Sequence, residues 1–275
     1  MLCGVPVRLT GRIAFSWLSL FLCLGVGAVS LRAAPAFGPK FQWFDEHKDN
    51  FEIVFIGSSR IAHGISPKLF DEIAAEQGGP HWRSFNLGKD KMKQRECLAL
   101  ARHVGSLHPR QLRYLFFELQ TTAADGAGAW LGNHGGRGAG GLGPDGDGYF
   151  PIDRSMSEQM RPRYQQLLQA EKAHPPTRMA SPAVRDELSQ LRQDLKSQGI
   201  EVVFVVAPSL RAAHGAGVNA PPGSLVFSFD DLARYAALYA EANRPDAEHL
   251  NARGAAIFTR LLATEFVQAR AAGSR

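Results

Sequence analysis

Cysteine is nearly absent: Cys3, Cys23 and Cys97 are the only three in 275 residues, and the first two lie in or before an apolar N-terminal run. The body keeps a single thiol, so no internal disulfide framework exists, and no CxxC or Cys/His spacing suggests a metal. Cys97 falls on the apolar side of a helical pattern and reads as a small buried hydrophobe. Charge of one sign is also thin. The formal charge is only +5, without a dense Lys/Arg block, and no nucleic-acid reading motif accompanies it, so a nucleic-acid partner is not expected. The glycine-rich stretch is followed by no Gly-Lys-Ser/Thr, which removes a phosphate loop. No metal or organic cofactor is implied.

What is present begins with Arg8 and Arg12, followed by an uncharged apolar run over 13–31 and the small residues Ala33-Ala34-Pro35-Ala36. A basic flank, an apolar centre and a small-residue stretch make a targeting segment. Its length approaches the roughly 20 residues that span a bilayer. Residues 1–36 are therefore expected to be a signal peptide or, with some preference, a retained signal-anchor. An apolar helix would hold the chain in the inner membrane with the body on the periplasmic or extracytoplasmic side. Residues 37–50 read as a linker with aromatic anchors Phe41, Trp43 and Phe44, and the domain proper spans 51–275.

Within the body, short apolar runs alternate with helical periodicities. Strands are predicted at Ile53 to Ile56, Trp82 to Leu87, Arg113 to Leu119, Glu201 to Ala207 and Leu225 to Phe229. Helices are predicted after Ser66-Pro67, from Lys89, weakly over 153–173 with a break at Pro162, after Ser181-Pro182, around Leu232 to Tyr239, and from about Ala252. Residues 123–149 form a Gly-rich insertion, read either as a lid or as a passive loop. The alternation predicts an α/β fold. Its form should be a flavodoxin-like three-layer parallel sheet of about five strands, order 2-1-3-4-5, with helices on both faces. The first strand then lies at the switch point, where ligands bind in such sheets, and it ends in Gly57-Ser58-Ser59.

A serine nucleophile needs a base, and the base needs an acceptor that orients it. Of nine histidines, His249 differs in standing just before the last helix, with Asp246 three residues earlier. Such a pair can set a carboxylate against Nδ1 and leave Nε2 for a hydroxyl. His63, near Ser59, reads as a polar neighbour of the site, and Glu248 as a solvated one. Asn251 and Asp246 could equally serve as helix caps.

Taken together, Gly57-Ser58-Ser59, Asn86-Leu87-Gly88 and Asp246-Ala-Glu-His249-Leu-Asn251 resemble the SGNH/GDSL hydrolase family, and most closely its exported cell-envelope branch with a Gly-Ser-Ser-Arg opening. The resemblance runs from about Phe51 to the C-terminus. It implies Ser59 as nucleophile, His249 as base and Asp246 as its acid, with the amides of Ser59 and Gly88 in the oxyanion hole. Beside them, Ser58 reads as structural and Arg60 as a scaffold or substrate-carboxylate contact. Ser58 stands where the family usually has Asp, and strand three lacks the family's Gly-x-Asn-Asp, leaving Gln120 as the candidate amide donor. The implied activity is that of a serine esterase or O-acyltransferase acting on ester groups, acetyl among them, of cell-envelope carbohydrate. The membrane and envelope-pathway proteins are its expected partners. The alternative is a non-catalytic binding or assembly protein on the same fold.

Overall fold

A computed structural model describes Met1 and residues 38–120, 141–173, 181–210 and 219–273. The predicted apolar helix over 13–31 lies outside the described residues, as does most of the Gly-rich insertion. Among the described residues no helix is long and apolar enough to cross a membrane.

Five strands form one parallel sheet: β1 (Ile53–Ile56), β2 (Ser84–Asn86), β3 (Tyr114–Glu118), β4 (Glu201–Val206) and β5 (Leu225–Ser228). Their order is β2-β1-β3-β4-β5, the flavodoxin-like arrangement, with Phe55 beside Asn86 on one side and Phe116 on the other. The central strands β1, β3 and β4 are apolar except for a Glu at the end of β3 and at the start of β4, because both faces are covered. Ile53 and Phe55 face one core with Phe116, Val203 and Val205, against α3 (Pro67–Glu76) and α7 (Ala252–Gly273). Val54 and Ile56 face the other with Phe117, Phe204 and Val206, against α4 (Gln94–Ser106) and α6 (Pro182–Lys196). Each such large side chain taken from water contributes about 1.5–3 kcal/mol.

Several expectations are revised. The stretch read as a linker contains α1 (Pro39–His47), started by Pro39 in its first turn, with Phe41 and Phe44 buried in the second core. A periodicity of three, too short to register in sequence, was enough once the sheet offered a face. Pro162 does not break a helix: it occupies the first turn of α5 (Arg161–Ala173), where its missing N–H costs nothing. The helix expected from Lys89 starts at Gln94, capped at Lys93 by the Glu96 side chain. Residues 232–243 form turns and two short 3-10 pieces, not an α-helix; here Tyr239 and Asn243 turn their side chains onto the carbonyls of Phe229 and Ala237. The described end of the Gly-rich insertion packs inward, with Tyr149 buried and the Asp147 carbonyl bound to Asn86 N–H.

Candidate active site

Gly57 follows β1 and must be glycine, because a methyl group there would collide with Ile61 and lie 2.7 Å from the Glu118 carboxylate. Ser58 caps α2 (Ser59–Ala62), its hydroxyl accepting from Arg60 N–H. Below this turn lies Glu118, the last residue of β3 and fully buried. Its carboxylate accepts from Ser58 N–H at 2.5 Å, from the Ser58 hydroxyl at 3.2 Å and from Arg60 Nε at 2.6 Å. Arg60 and Ser58 are thus scaffold: a buried ion pair and two further hydrogen bonds fix the turn that presents Ser59. Each neutral bond contributes about 1 kcal/mol and those to a charged group more.

The Ser59 hydroxyl lies 2.8 Å from His249 Nε2, although 190 residues separate them. His249 Nδ1 lies 3.0 Å from both oxygens of Asp246. A carboxylate only accepts, so Nδ1 carries the proton and Nε2 is left to accept the serine proton. Asp246 Oδ1 also accepts from the amides of Glu248 and His249 at 2.8 Å each. Burial pushes the Asp246 carboxyl up, but the His249 ring and these two amides outweigh it and hold it well below the usual carboxylate range. It is therefore ionised at neutral pH.

The loop carrying Asp246 and His249 is organised by Arg244, a wholly buried cation. It donates to the carbonyls of Leu238 (2.7 Å), Ala247 (3.1 Å), Pro208 (3.2 Å) and Asp246 (3.2 Å). Asn251 completes the loop by donating to Ala242 O and accepting from Gly254 N–H. Glu248 is half-buried beside the base.

The two other expected oxyanion donors are placed differently. Gly88 N–H donates to Asn86 Oδ1 at 2.8 Å, while Asn86 Nδ2 donates to the carbonyls of Ile61 and Ile65. That amide is committed to holding the β2 exit against α2. Gln120 points its amide to Met92 O (3.1 Å), Glu118 (3.2 Å) and the Cys97 sulfur (3.5 Å). It supports the interior and does not reach Ser59. The Ser59 N–H meets no acceptor among the described residues. Cys97 itself is buried, and burial raises its thiol.

Sequence reasoning missed Glu118, Arg244, Lys40 and Asp90. Lys40, on α1, is almost fully buried and donates to Gly88 O and Gly148 O at 2.8 Å each. Burial pushes its amine down to about 7 against the opposing pull of Asp147 and Asp90. Asp90 accepts from His63 Nε2 at 2.7 Å. A carboxylate ending an apolar strand was the one available signal, at Glu118. An open groove of about 340 Å³ adjoins the base, lined by Met160, Arg163, Tyr164 and Leu167 with Asp246 to His249.

Among the described residues no cluster of ligating side chains is suited to a metal. No protein-family model and no curated protein matches the sequence. Among solved structures, the lipase/acylhydrolase from Enterococcus faecalis is similar in outline. It has 16% sequence identity and a TM-score of 0.38, covering 78% of this chain and 95% of that one.

Proposed function

We propose that the chain is an exported, SGNH-like serine esterase or O-acyltransferase acting on ester groups, acetyl among them, of cell-envelope carbohydrate. The observation that carries the reading is the hydrogen-bonded line Ser59–His249–Asp246, assembled from both ends of the domain at the switch point of the sheet. In the mechanism, His249 Nε2 takes the hydroxyl proton as Ser59 Oγ attacks the ester carbonyl. Asp246 stabilises the imidazolium that forms. The Ser59 amide faces the developing oxyanion. Collapse expels the alcohol, which receives the proton from His249, and leaves an acyl-serine. Water or a sugar hydroxyl, deprotonated by the same imidazole, then takes the acyl group. No cofactor enters these steps. Export rests on the N-terminal segment, with residues 13–31 as signal or inner-membrane anchor. The membrane and envelope-pathway proteins are the proposed partners.

A second reading has its own observation: the Gly88 and Gln120 amides serve the scaffold, which leaves the oxyanion side sparse and favours a non-catalytic binding or assembly protein. A fluorophosphonate probe separates the two, together with acetate release from an acetylated oligosaccharide. Labelling of wild type but not Ser59→Ala, with matching acetate release, supports the enzyme. Absence of both, with a cellular phenotype intact in Ser59→Ala but lost on deletion, supports the binding protein.

A further inference from the structure

Residues 147–152 belong to no helix or strand, yet their backbone is tied on both sides of the site. The Asp147 carbonyl accepts from Asn86 N–H at 2.9 Å and Gly148 O from Lys40 at 2.8 Å. Phe150 N–H donates to Ala62 O at 3.1 Å, and Ile152 O accepts from Ala252 N–H at 2.9 Å. Ala62 is on the helix of Ser59, and Ala252 opens α7, three residues after His249. The segment is a strap between the nucleophile and its base.

A further tie of the strap is to His63, which follows α2 and donates its own N–H to Ser59 O at 2.9 Å. His63 Nδ1 faces Phe150 O at 2.7 Å, and Nε2 faces Asp90 at 2.7 Å. Both partners only accept, so both protons come from the ring and His63 is an imidazolium. Its ring stands edge-on to that of His249, with centroids 6.1 Å apart.

We propose that His63, clamped between Phe150 O and Asp90, is a positioning residue: it holds the strap to the nucleophile helix and so fixes the separation of Ser59 from His249. The clamp opens when the ring loses a proton, because a neutral imidazole serves only one of the two acceptors. The inference rests on reading Ser59 and His249 as nucleophile and base. The charged and titratable groups facing His63 are Asp90 from the β2 exit, Lys40 from α1 and His249 from the loop before α7. Burial and Lys40 disfavour the charged ring. The bonds to Asp90 and Phe150 and the Asp90 charge outweigh them, so its pKa lies above the ordinary histidine value. A raised pKa on a base means the clamp is complete at acid pH and is lost as pH rises through that value. The rate should therefore fall as pH rises through the titration of His63.

The test compares the full chain with His63→Gln, which offers amide hydrogens without titrating, and with His63→Leu, which offers none. For ester hydrolysis, wild type should lose kcat as pH rises through the titration of His63. His63→Gln should lose that alkaline fall. His63→Leu should lower kcat about 10- to 100-fold, the cost of a small misplacement, with KM changed less than about twofold. Imidazole nitrogen NMR reads the same geometry without turnover. It should find both His63 nitrogens protonated at about pH 6, and His249 resonances displaced in His63→Leu but restored towards wild type in His63→Gln. A singly protonated His63 at that pH, or His249 resonances unmoved in His63→Leu, overturns the inference even in a catalytically silent protein. Silence of the wild type towards ester and probe would instead overturn the catalytic reading.

Discussion

On one side of Ser59, the hydroxyl, the His249 imidazole and the Asp246 carboxylate lie in line, with successive contacts of 2.8 and 3.0 Å. On the other side, Gly88 and Gln120 each give their hydrogens to acceptors within the scaffold. In the proposed reaction the first side would move a proton and the second would hold the charge that results. The difference teaches that a proton relay and an oxyanion cradle are separable. Each needs its own donors, and here Ser59 and His249 are bonded to each other while the Gly88 and Gln120 amides are bonded within the scaffold. The strongest way to break this comparison is at the relay. Ser59→Ala or His249→Ala should reduce ester turnover by about 10⁴-fold or more, whereas their unfolding should change little. Retention of most turnover in Ser59→Ala would move the chemistry elsewhere.

The relay depends on a turn that Glu118 organises from below. In Glu118→Ala, Arg60 keeps its charge in a site 8% exposed but loses its carboxylate, and the Ser58 amide loses its acceptor. Breaking a buried pair by removing one partner costs about 3–5 kcal/mol. Urea unfolding should show that loss, and probe labelling of Ser59 should slow in the fraction still folded. An unchanged midpoint would mean that the turn stands without its carboxylate.

The relay was more legible in sequence than its support, for physical reasons. Asp246 and His249 are three residues apart, so a single turn of chain nearly decides their contact. The strands were legible because alternate residues enter two apolar cores, as Val54 and Phe55 do. Glu118 and Ser58 are 60 residues apart, and Lys40 and Gly88 48. Such pairs are fixed only by the strand order and by where α1 docks, and nothing local announces them. The bond of the Gly88 amide within the scaffold was hidden for a related reason. The Asn86 side chain that captures it is oriented by the carbonyls of Ile61 and Ile65, which are close only after folding.

Lys40 joins the two sides, holding the carbonyl of Gly88 and that of the strap. Burial holds its folded pKa at about 7, below the 10.5 of a free lysine. Between those values the unfolded chain binds more protons than the folded one, so stability rises with pH there. Lys40→Met removes the titration along with two hydrogen bonds. The stability of wild type minus that of the variant should therefore grow from about pH 7 to pH 9, by roughly 2 kcal/mol. Chemical denaturation across that range measures it. A difference independent of pH would mean that Lys40 stays charged where it is buried.

The smallest expected effect is the most discriminating about the sparse side. If Gln120 donated to the oxyanion, its loss would lower kcat about 100- to 1000-fold. Its amide instead bonds Met92 O, Glu118 and Cys97, and its N–H bonds Gln94. Gln120→Ala removes only the side-chain bonds, so it should cost about 1 kcal/mol of stability and change kcat by about threefold or less. A fall of two orders of magnitude at unchanged KM would show that the amide swings to the substrate on binding, and the sparse side would then be assembled by the ligand itself. A small effect would leave the Ser59 N–H as the principal donor, and the rate of acyl transfer would then be set by how well one amide and the His249 relay stabilise the tetrahedral intermediate.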